Sequence, residues 1–592
     1  MNSAGAVDIQ GTDITDQELM AHALANAANT KSSEEFAIRH GSAFVNEYAR
    51  TDSSGQRTDG GPSDPNHLLG CFPTLFPYGR GGFETNRPIN VPYECHARWA
   101  MQYSDKRFRK DLQFAFQVFG VCQKREVCRS AVLQMKKSTF ARHRNLLATL
   151  TPNDLTKASQ EETRKVPFSN PAVRALRQQL SAIKTRVRGT DESRSSLRSK
   201  IWSTNLIFNP FSLWITINPA DIQDPIAQVL CGAEIDLDKF SRTAGPTSGQ
   251  RAANITGDPF ASAQFFHFMV NVIIEILFGI KKIGNNRIER EEGILGTIQS
   301  YIGTVETQGR GSLHLHMLIW LKDAPPATVM REALRSDRFR DKIRRYIRTT
   351  IHADIQGKDD EETKQLPKAP EVSYSRTINP ITNPVESKDQ GHQLARAVQY
   401  HKCSVLTCLR KIKDRYQCKR RAPFQCAIDA WVKDNGEWGP KRLCAYLNNW
   451  NPALLICLRS NHDIKIMLNG SGTHVLTFYI TNYATKKQKE SSNVSALLAK
   501  TLAFHKQQEK HETDIQRINK LLLQRCSNSL ARDREFSAPE VMGYVMGWGD
   551  RFESHHFVTI YWDSATKALQ DEFPFLSSNN QRGVEISTQV RL

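Results

Sequence analysis

Nowhere in its 592 residues does this sequence carry a G-x-x-x-x-G-K-[ST] phosphate loop, so nothing in it predicts ATP-driven unwinding of duplex. No cleavable leader is apparent at MNSAGAVDIQ, and the twelve cysteines include no C-x-x-C pair. Together these predict a reducing compartment, with thiols free or bound to metal rather than tied in a disulfide framework. Long apolar runs are equally scarce. The best, FASAQFFHFMVNVIIEILFGI at 260–280, is broken by Gln264, His267, Asn271 and Glu275. Those residues are too costly against lipid, so the stretch is expected to be a buried or amphipathic helix of a soluble domain. Acidic residues are outnumbered: 80 Lys plus Arg against 61 Asp plus Glu leave a net charge of +19. Such a surface favours polyanionic partners, nucleic acid above all.

Against these absences stands YIGTVETQGRGSLHLHMLIWL at 301–321. In an extended strand His314 and His316 share one face, while Leu313, Leu315 and Met317 take the other. Upstream, Glu306 and Gln308 also share a strand face, and Gly309, Arg310 and Gly311 offer a turn. The pattern predicts a hairpin that brings a carboxylate or an amide oxygen to the imidazoles. A lone histidine in an apolar strand is ordinarily a hydrogen-bonded core residue. Two at this spacing, with an oxygen ligand one hairpin away, form a donor set suited to Mg²⁺, Mn²⁺ or Zn²⁺, and spacing does not choose among them.

Two further constellations follow. QYHKCSVLTCLRKIKDRYQCKRRAPFQC at 399–426 offers His401, Cys403, Cys408, Cys418 and Cys426, a set able to hold zinc tetrahedrally or to stay as buried free thiols. Its basic residues from Arg410 to Arg421 suit a DNA backbone. HVLTFYITNYATKKQKE at 474–490 sets Tyr479 and Tyr483 four apart, on one helical face, with Lys486 and Lys487 beyond. Alone, two aromatics at that spacing are equally a core stripe.

The rest supplies organisation. Residues 1–60 lack a sustained apolar period and are expected to be a flexible arm with a short helix or two. Pro62 to Phe83 reads as rigid turns pinned by ring packing. A helical core stripe is predicted from Phe108, Leu112, Phe116 and Phe119, with Lys106, Arg107, Arg109 and Lys110 on an outer face within reach of phosphate. Residues 151–170 read as a connection, 171–188 as a basic helix, and 205–219 as a buried strand. Residues 357–392 read as a linker, 460–464 as the lead into a strand, and 494–526 as helical. His555 and His556, being adjacent, face opposite sides and make a poor metal pair. The fold class expected is α+β, a central antiparallel sheet with flanking helices. Its divisions are 61–190, mostly helical; 200–325 and 451–492, two parts of one core; 326–450, an insertion; and 493–592, a helical and mixed C-terminal region.

With these motifs in hand, residues of roughly 65–560 resemble the replication-initiator (Rep) domain of Helitron transposases, which are HUH endonucleases. The likeness rests on ETQGRG and the HLH pair around Leu315, on the P-x-L-F-P-x-G run Pro73 to Gly79, and on the strand at 205–219. It rests also on the Ser460–Ile464 element and on F-Y-I-T-x-Y-x-x-K at Phe478 to Lys486. The resemblance implies an HUH/Rep-type palm with an N-terminal helical region, a zinc-type insertion and C-terminal helices. It implies an endonuclease and strand transferase for single-stranded DNA, acting in rolling-circle transposition in the nucleus. Mg²⁺ or Mn²⁺ would be held by His314 and His316 with Glu306 or Gln308. Tyr479 and Tyr483 would be the nucleophiles, Arg310, Lys486 and Lys487 the DNA contacts, and His401, Cys403, Cys408 and Cys418 the ligands of a structural Zn²⁺. The partners implied are single-stranded DNA at transposon ends and a separate helicase. Asn482 stands where many relatives carry Asp, which bears on acid–base chemistry at 482 and not on the nucleophiles. Two other classes remain open from the residues: a catalytically inactive single-stranded DNA-binding protein derived from a transposon, and a metal-dependent hydrolase that uses water.

Overall fold

The structure is a computed structural model that describes residues 67–237, 245–283, 287–308, 311–367, 378–468, 473–485, 493–509, 511–531, 534–558 and 562–573, save positions 79, 85–87, 90 and 413. Of the first 60 residues it describes only Ala4–Asp8, paired antiparallel with Phe36–His40. Arg310, Lys486 and Lys487 lie outside the described residues, as does the side chain of Tyr483. Two compact units divide the chain: Met1–Ser193, Ala252–Gln264 and Gln488–Asp550 in one, and Arg194–Arg251, Phe265–Lys487 and Arg551–Leu592 in the other.

Beyond the pair Ala4–Asp8 and Phe36–His40, the described part of the first unit is helical. Helix Leu112–Met135 starts on Asp111, whose carboxylate accepts from Phe114 N at 2.9 Å. That start sets the helix phase, so Phe114, Val118, Phe119 and Cys122 go inside while Leu112 and Phe116 stay exposed. Only part of the expected stripe is therefore core, because Leu112 is the first helical residue and not an interior one. Residues 151–170, expected to be a connection, contain the helix Pro152–Thr163. It begins in a capping box: Thr151 Oγ1 accepts from Asp154 N at 3.2 Å, and the Asp154 carboxylate accepts from Thr151 N at 2.9 Å. Helices Val494–Gln508 and Ile515–Ala531, remote in sequence, join this core, where Leu498, Leu502, Leu523 and Cys526 cluster with Leu155, Leu176 and Ile183. Arg109, expected on a solvated face, is buried instead. Its guanidinium lies 2.6 Å from Asp258 and over the Phe260 ring.

The second unit is built on a sheet. Strands of this unit include β1 (Leu213–Ile217), β2 (Gly296–Thr307), β3 (Leu313–Leu321), β6 (His462–Ile466) and β7 (Arg551–Glu553), with β4 (Leu409–Ile412) and β5 (Arg415–Cys418) as a separate short pair. Four helices matter here: α1 (Asp191–Phe208), α2 (Pro259–Val272), α3 (Pro384–Val398) and α4 (Thr473–Ala484). The sheet runs β6-β1-β3-β2-β7, antiparallel throughout. Strand β1 begins at Leu213 and not at 205, because α1 extends to Phe208 and ends on Asn209, held at φ 65°, followed by Pro210.

Strand parity sorts the two faces. One carries Trp214, Thr216, Ile302, Thr304, Glu306, His314, His316 and Leu318. On it Leu197 and Ile201 of α1 and Ile480 and Ala484 of α4 form one buried cluster with Trp214, Ile302 and Leu318. The other carries Leu315 and Met317. There Gly303 leaves the space that β7 needs: a Cβ at 303 would stand 3.0 Å from Leu315 Cδ1 and 3.4 Å from Phe552 Cβ. The later part of α2 reaches this side, with His267 5.4 Å from Phe552 ring to ring. Pro259–Leu277 has the length and hydropathy of a membrane span, but 61% of that window is buried, as expected for a buried helix.

The stretch 357–392, expected to be a linker, contains Asp360–Gln365, started by an Asp359/Glu362 capping box, and the beginning of α3. Among the described residues of this stretch, Glu361, Glu362, Lys364, Glu386, Lys388 and Asp389 are exposed on these helices, which composition alone does not distinguish from loop. Leu394 and Ala395 of α3 pack with Trp450 and Leu455 in a separate small core. The fold is thus the expected α+β class, an antiparallel sheet with flanking helices.

Candidate metal centres and the tyrosine helix

The β2–β3 hairpin forms as the sequence predicts. Gln308 N donates to Ser312 O and Gly311 N to Gln308 O at its end, and Gly311 takes φ +83°, a conformation that favours glycine. Register then places Glu306 opposite His314, and Thr304 and Thr216 on either side of His316. The ring nitrogens His314 Nε2 and His316 Nε2 are 3.0 Å apart, and Glu306 Oε2 is 3.7 and 3.6 Å from them. With metal–ligand distances of about 2.1 Å, donors 90–110° apart around one ion stand roughly 3.0–3.4 Å from each other. The two imidazoles already have that spacing, and the carboxylate is a few tenths of an ångström beyond it. Glu306, His314 and His316 therefore fit a small divalent cation. Gln308 lies past the strand end, where its amide nitrogen donates to Asn218 Oδ1 at 2.6 Å.

Neighbours hold this triangle in place. Trp214 stacks on the His316 ring with centroids 5.1 Å apart and planes at 16°. Thr216 Oγ1 is 3.0 Å from His316 Nδ1, which orients the ring and leaves Nε2 for the cluster. Burial, then the charge of His316, pushes His314 down to about 4, so its lone pair is available near neutrality. Burial alone would raise Glu306, but contact with His316 and the potentials of His316, His314 and Arg194 outweigh it and keep the carboxyl below its ordinary value. Glu306 is thus an anion beside the neutral imidazole of His314, a combination that suits a cation site.

Helix α1 ties this cluster to the tyrosines. Arg194 Nη2 donates to Val305 O at 3.0 Å, next to Glu306, and one turn on Arg198 Nε donates to Thr485 Oγ1 at 2.7 Å, just past the end of α4. Helix α4 turns Thr477, Ile480, Thr481 and Ala484 inward. Tyr479, off that stripe, is 64% exposed, so it is not packed in a core; Tyr483 follows it by four positions along the same helix. The helix that carries the tyrosines, more than 160 residues beyond the histidines in sequence, thus packs through Ile480 and Ala484 on the sheet face that holds them.

The second cluster also assembles. Donor atoms of His401, Cys403, Cys408 and Cys418 lie within 4.8 Å of one another, His401 Nε2 at 3.2 Å from Cys418 Sγ. The β4–β5 ladder folds Cys408 back beside Cys418. Burial and the charge of Arg420 hold His401 below the ordinary histidine value. One imidazole and three thiols suit a soft, tetrahedral ion. Cys426 is elsewhere, its Sγ 3.5 Å from Leu443 O. Arg410, Lys411, Arg415, Lys419, Arg420 and Arg421 are all exposed around the ladder. Co²⁺ added to the reduced protein is expected to give the near-ultraviolet charge-transfer absorption of bound thiolates. Cys418→Ser should abolish it, whereas Cys426→Ser should leave it intact; the reverse pattern would refute this ligand set.

The sequence reading did not single out Thr216, Trp214, Arg194 or Arg198. Parity within LWITI puts Trp214 and Thr216 on one face, and the steps 194, 197, 198, 201 mark an inward helix stripe. Those were the available signals, but which strand and which carbonyl they meet is tertiary information. Among comparisons with known proteins, the family model of the Helitron helicase-like domain at N-terminus matches residues 96–319. The match includes Glu306, His314 and His316 and stops well short of the cysteine cluster and α4. No curated protein matches the chain.

Proposed function

A chain whose residues 96–319 match the Helitron helicase-like N-terminal domain is Helitron-related, and from that premise we propose that it nicks and transfers single-stranded DNA, its sheet serving as an HUH/Rep-type palm. One observation carries the reading: Glu306, His314 and His316 share a sheet face with α4, the helix of Tyr479 and Tyr483. The net charge of +19 and the exposed cations around β4 and β5 attract the strand. A divalent cation on Glu306, His314 and His316 would draw charge from a non-bridging phosphate oxygen. Tyr479 or Tyr483 then attacks phosphorus in line with the departing 3′ oxygen. The phenolic proton leaves to water, which the exposure of Tyr479 permits. The P–O3′ bond breaks, the 3′ oxygen takes up a proton, and the 5′ phosphate remains on tyrosine. Because one phosphodiester replaces another, an incoming 3′-hydroxyl can reverse the step without nucleotide hydrolysis. Two tyrosines allow two such exchanges, as transposition by a rolling circle in the nucleus requires, with a separate helicase exposing the strand.

The test is a covalent adduct. Wild-type protein incubated with Mn²⁺ and end-labelled single-stranded oligonucleotides should give a band that survives SDS, and the double variant Tyr479→Phe, Tyr483→Phe should give none. Absence of the band from wild type, or its persistence in the double variant, would sink the tyrosine mechanism.

A further inference from the structure

We propose that a groove in the first unit is a stacking site for unpaired bases of a DNA strand. It is formed by loop residues 75–78, 80 and 81 and by the helices Tyr93–Met101 and Arg107–Lys110, and holds about 500 Å³, within the range of roughly 300–1,000 Å³ found for small-ligand sites. The loop belongs to the P-x-L-F-P-x-G run that the nuclease centre leaves without a role. Gly81, at φ +85°, lets it turn back.

The floor is apolar, made of Leu75, Phe76 and Phe108, all buried. The sides are aromatic and wet: Tyr78 is 88% exposed and Trp99 53%. Trp99 is held edge-on between His96 and Tyr103, with centroids 5.5 and 5.0 Å away. The Arg107 guanidinium lies over Tyr103 and Phe108 at 5.0 and 5.3 Å. Arg80 and Arg107 line the groove and no carboxylate does; Asp105 ion-pairs Arg107 Nε at 3.2 Å but is not part of the lining. The cavity of about 470 Å³ in the second unit, by contrast, sets Asp354 and Asp429 among Arg348, Lys388 and Lys441, and two of those cations are already paired, Arg348 with Asp429 and Lys441 with Asp354. Ring faces open to water, arginines and no anion are the chemistry that recognises a base together with its phosphate. An apolar peptide would use the rings but gain nothing from the arginines. The choice of DNA over RNA rests on the function proposed above; the stacking itself does not.

The full-length protein, without added Mn²⁺, is titrated into an oligothymidylate carrying one 2-aminopurine, reading anisotropy for affinity and fluorescence quenching for stacking. Tyr78→Ala and Trp99→Ala should each weaken binding by about ten-fold and reduce the quenching, while Trp99→Phe keeps most of both. Affinity for duplex should not change, since paired bases offer no free face. Arg80→Gln should lower the slope of log affinity against log salt by about one. Tyr78 is too exposed for its loss to disturb folding, so unaltered single-strand affinity in Tyr78→Ala overturns the proposal. An equal loss on duplex also overturns it, as does a proline-rich peptide that fills the groove where oligonucleotide does not compete. The two readings separate cleanly. Wild type that forms no SDS-resistant adduct but shows these losses refutes the nickase and keeps the groove; adduct formation with unaltered binding by Tyr78→Ala does the opposite.

Discussion

Alanine at both His314 and His316 is expected to reduce the rate of adduct formation by at least about 10³-fold, because removing a positively charged stabiliser of the reacting phosphate costs several kcal/mol of transition-state energy. The pair supplies two of the three donors in the cluster, and Glu306 alone is a carboxylate like many others on the surface. A gentler change discriminates positioning from folding. Thr216→Val keeps shape but removes the oxygen 3.0 Å from His316 Nδ1, freeing the ring to rotate. Loss of such a supporting contact usually weakens a metal site by about 10–100-fold. Thr216→Val should therefore raise the Mn²⁺ concentration needed for half-maximal adduct by that factor and recover near-normal yield at saturation. Circular dichroism confirms the fold in each case. Full adduct yield from the double alanine variant would remove the cluster from the mechanism.

The largest stability effect is expected in the first unit. Arg109→Ala leaves the Asp258 carboxylate, 2% exposed in its side chain, without the guanidinium that neutralises it. Breaking one side of a buried pair costs about 3–5 kcal/mol, equivalent to roughly 6–20 °C in melting temperature for a unit of this size. Asp258 also accepts from Ala261 N at 3.2 Å, capping the start of α2, so it cannot move out to water without loosening that helix. Arg109→Met combined with Asp258→Asn retains the cap and buries no charge, and should be less damaging than Arg109→Ala alone. Thermal or urea melts decide this; a single variant that melts within 2 °C of wild type would show, on the scale just given, that the pair contributes little.

Parts of the architecture that follow from local rules were legible in the residues. Alternation in HLHMLIW, with glycines between two strand-like runs, gave the hairpin and an oxygen ligand from Glu306 or Gln308 near the histidines, while the choice of Glu306 came from the strand register. The ligand set His401, Cys403, Cys408 and Cys418 converges because the intervening residues fold as the β4–β5 ladder. What was illegible depends on long-range packing or on cap chemistry read too lightly. Thr-Pro-Asn-Asp at 151–154 is a helix start, yet its polar surroundings suggested a connection. Asn209-Pro210 ends a helix where aromatic and β-branched residues suggested a longer strand. Arg109 has the composition of a solvated face, and only its partner 149 positions away explains its burial. Arg194 and Arg198 were invisible for the same reason: their meaning lies in Val305 and Thr485.

The strand order β6-β1-β3-β2-β7 has a temporal side. β1, β2 and β3 leave the ribosome early, but β6 and α4 lie up to about 270 positions beyond β1, roughly 15–50 s of synthesis at 5–20 residues per second. During that interval the outer edge of β1, carrying Leu213, Ile215 and Ile217, has no strand to pair with and is open to wrong partners. Meanwhile the intervening segment can close its own small core around Leu394 and Trp450. A nascent chain therefore displays its histidines well before the helix of Tyr479 and Tyr483 has been made, and on the function proposed above no adduct forms until that helix has joined the sheet.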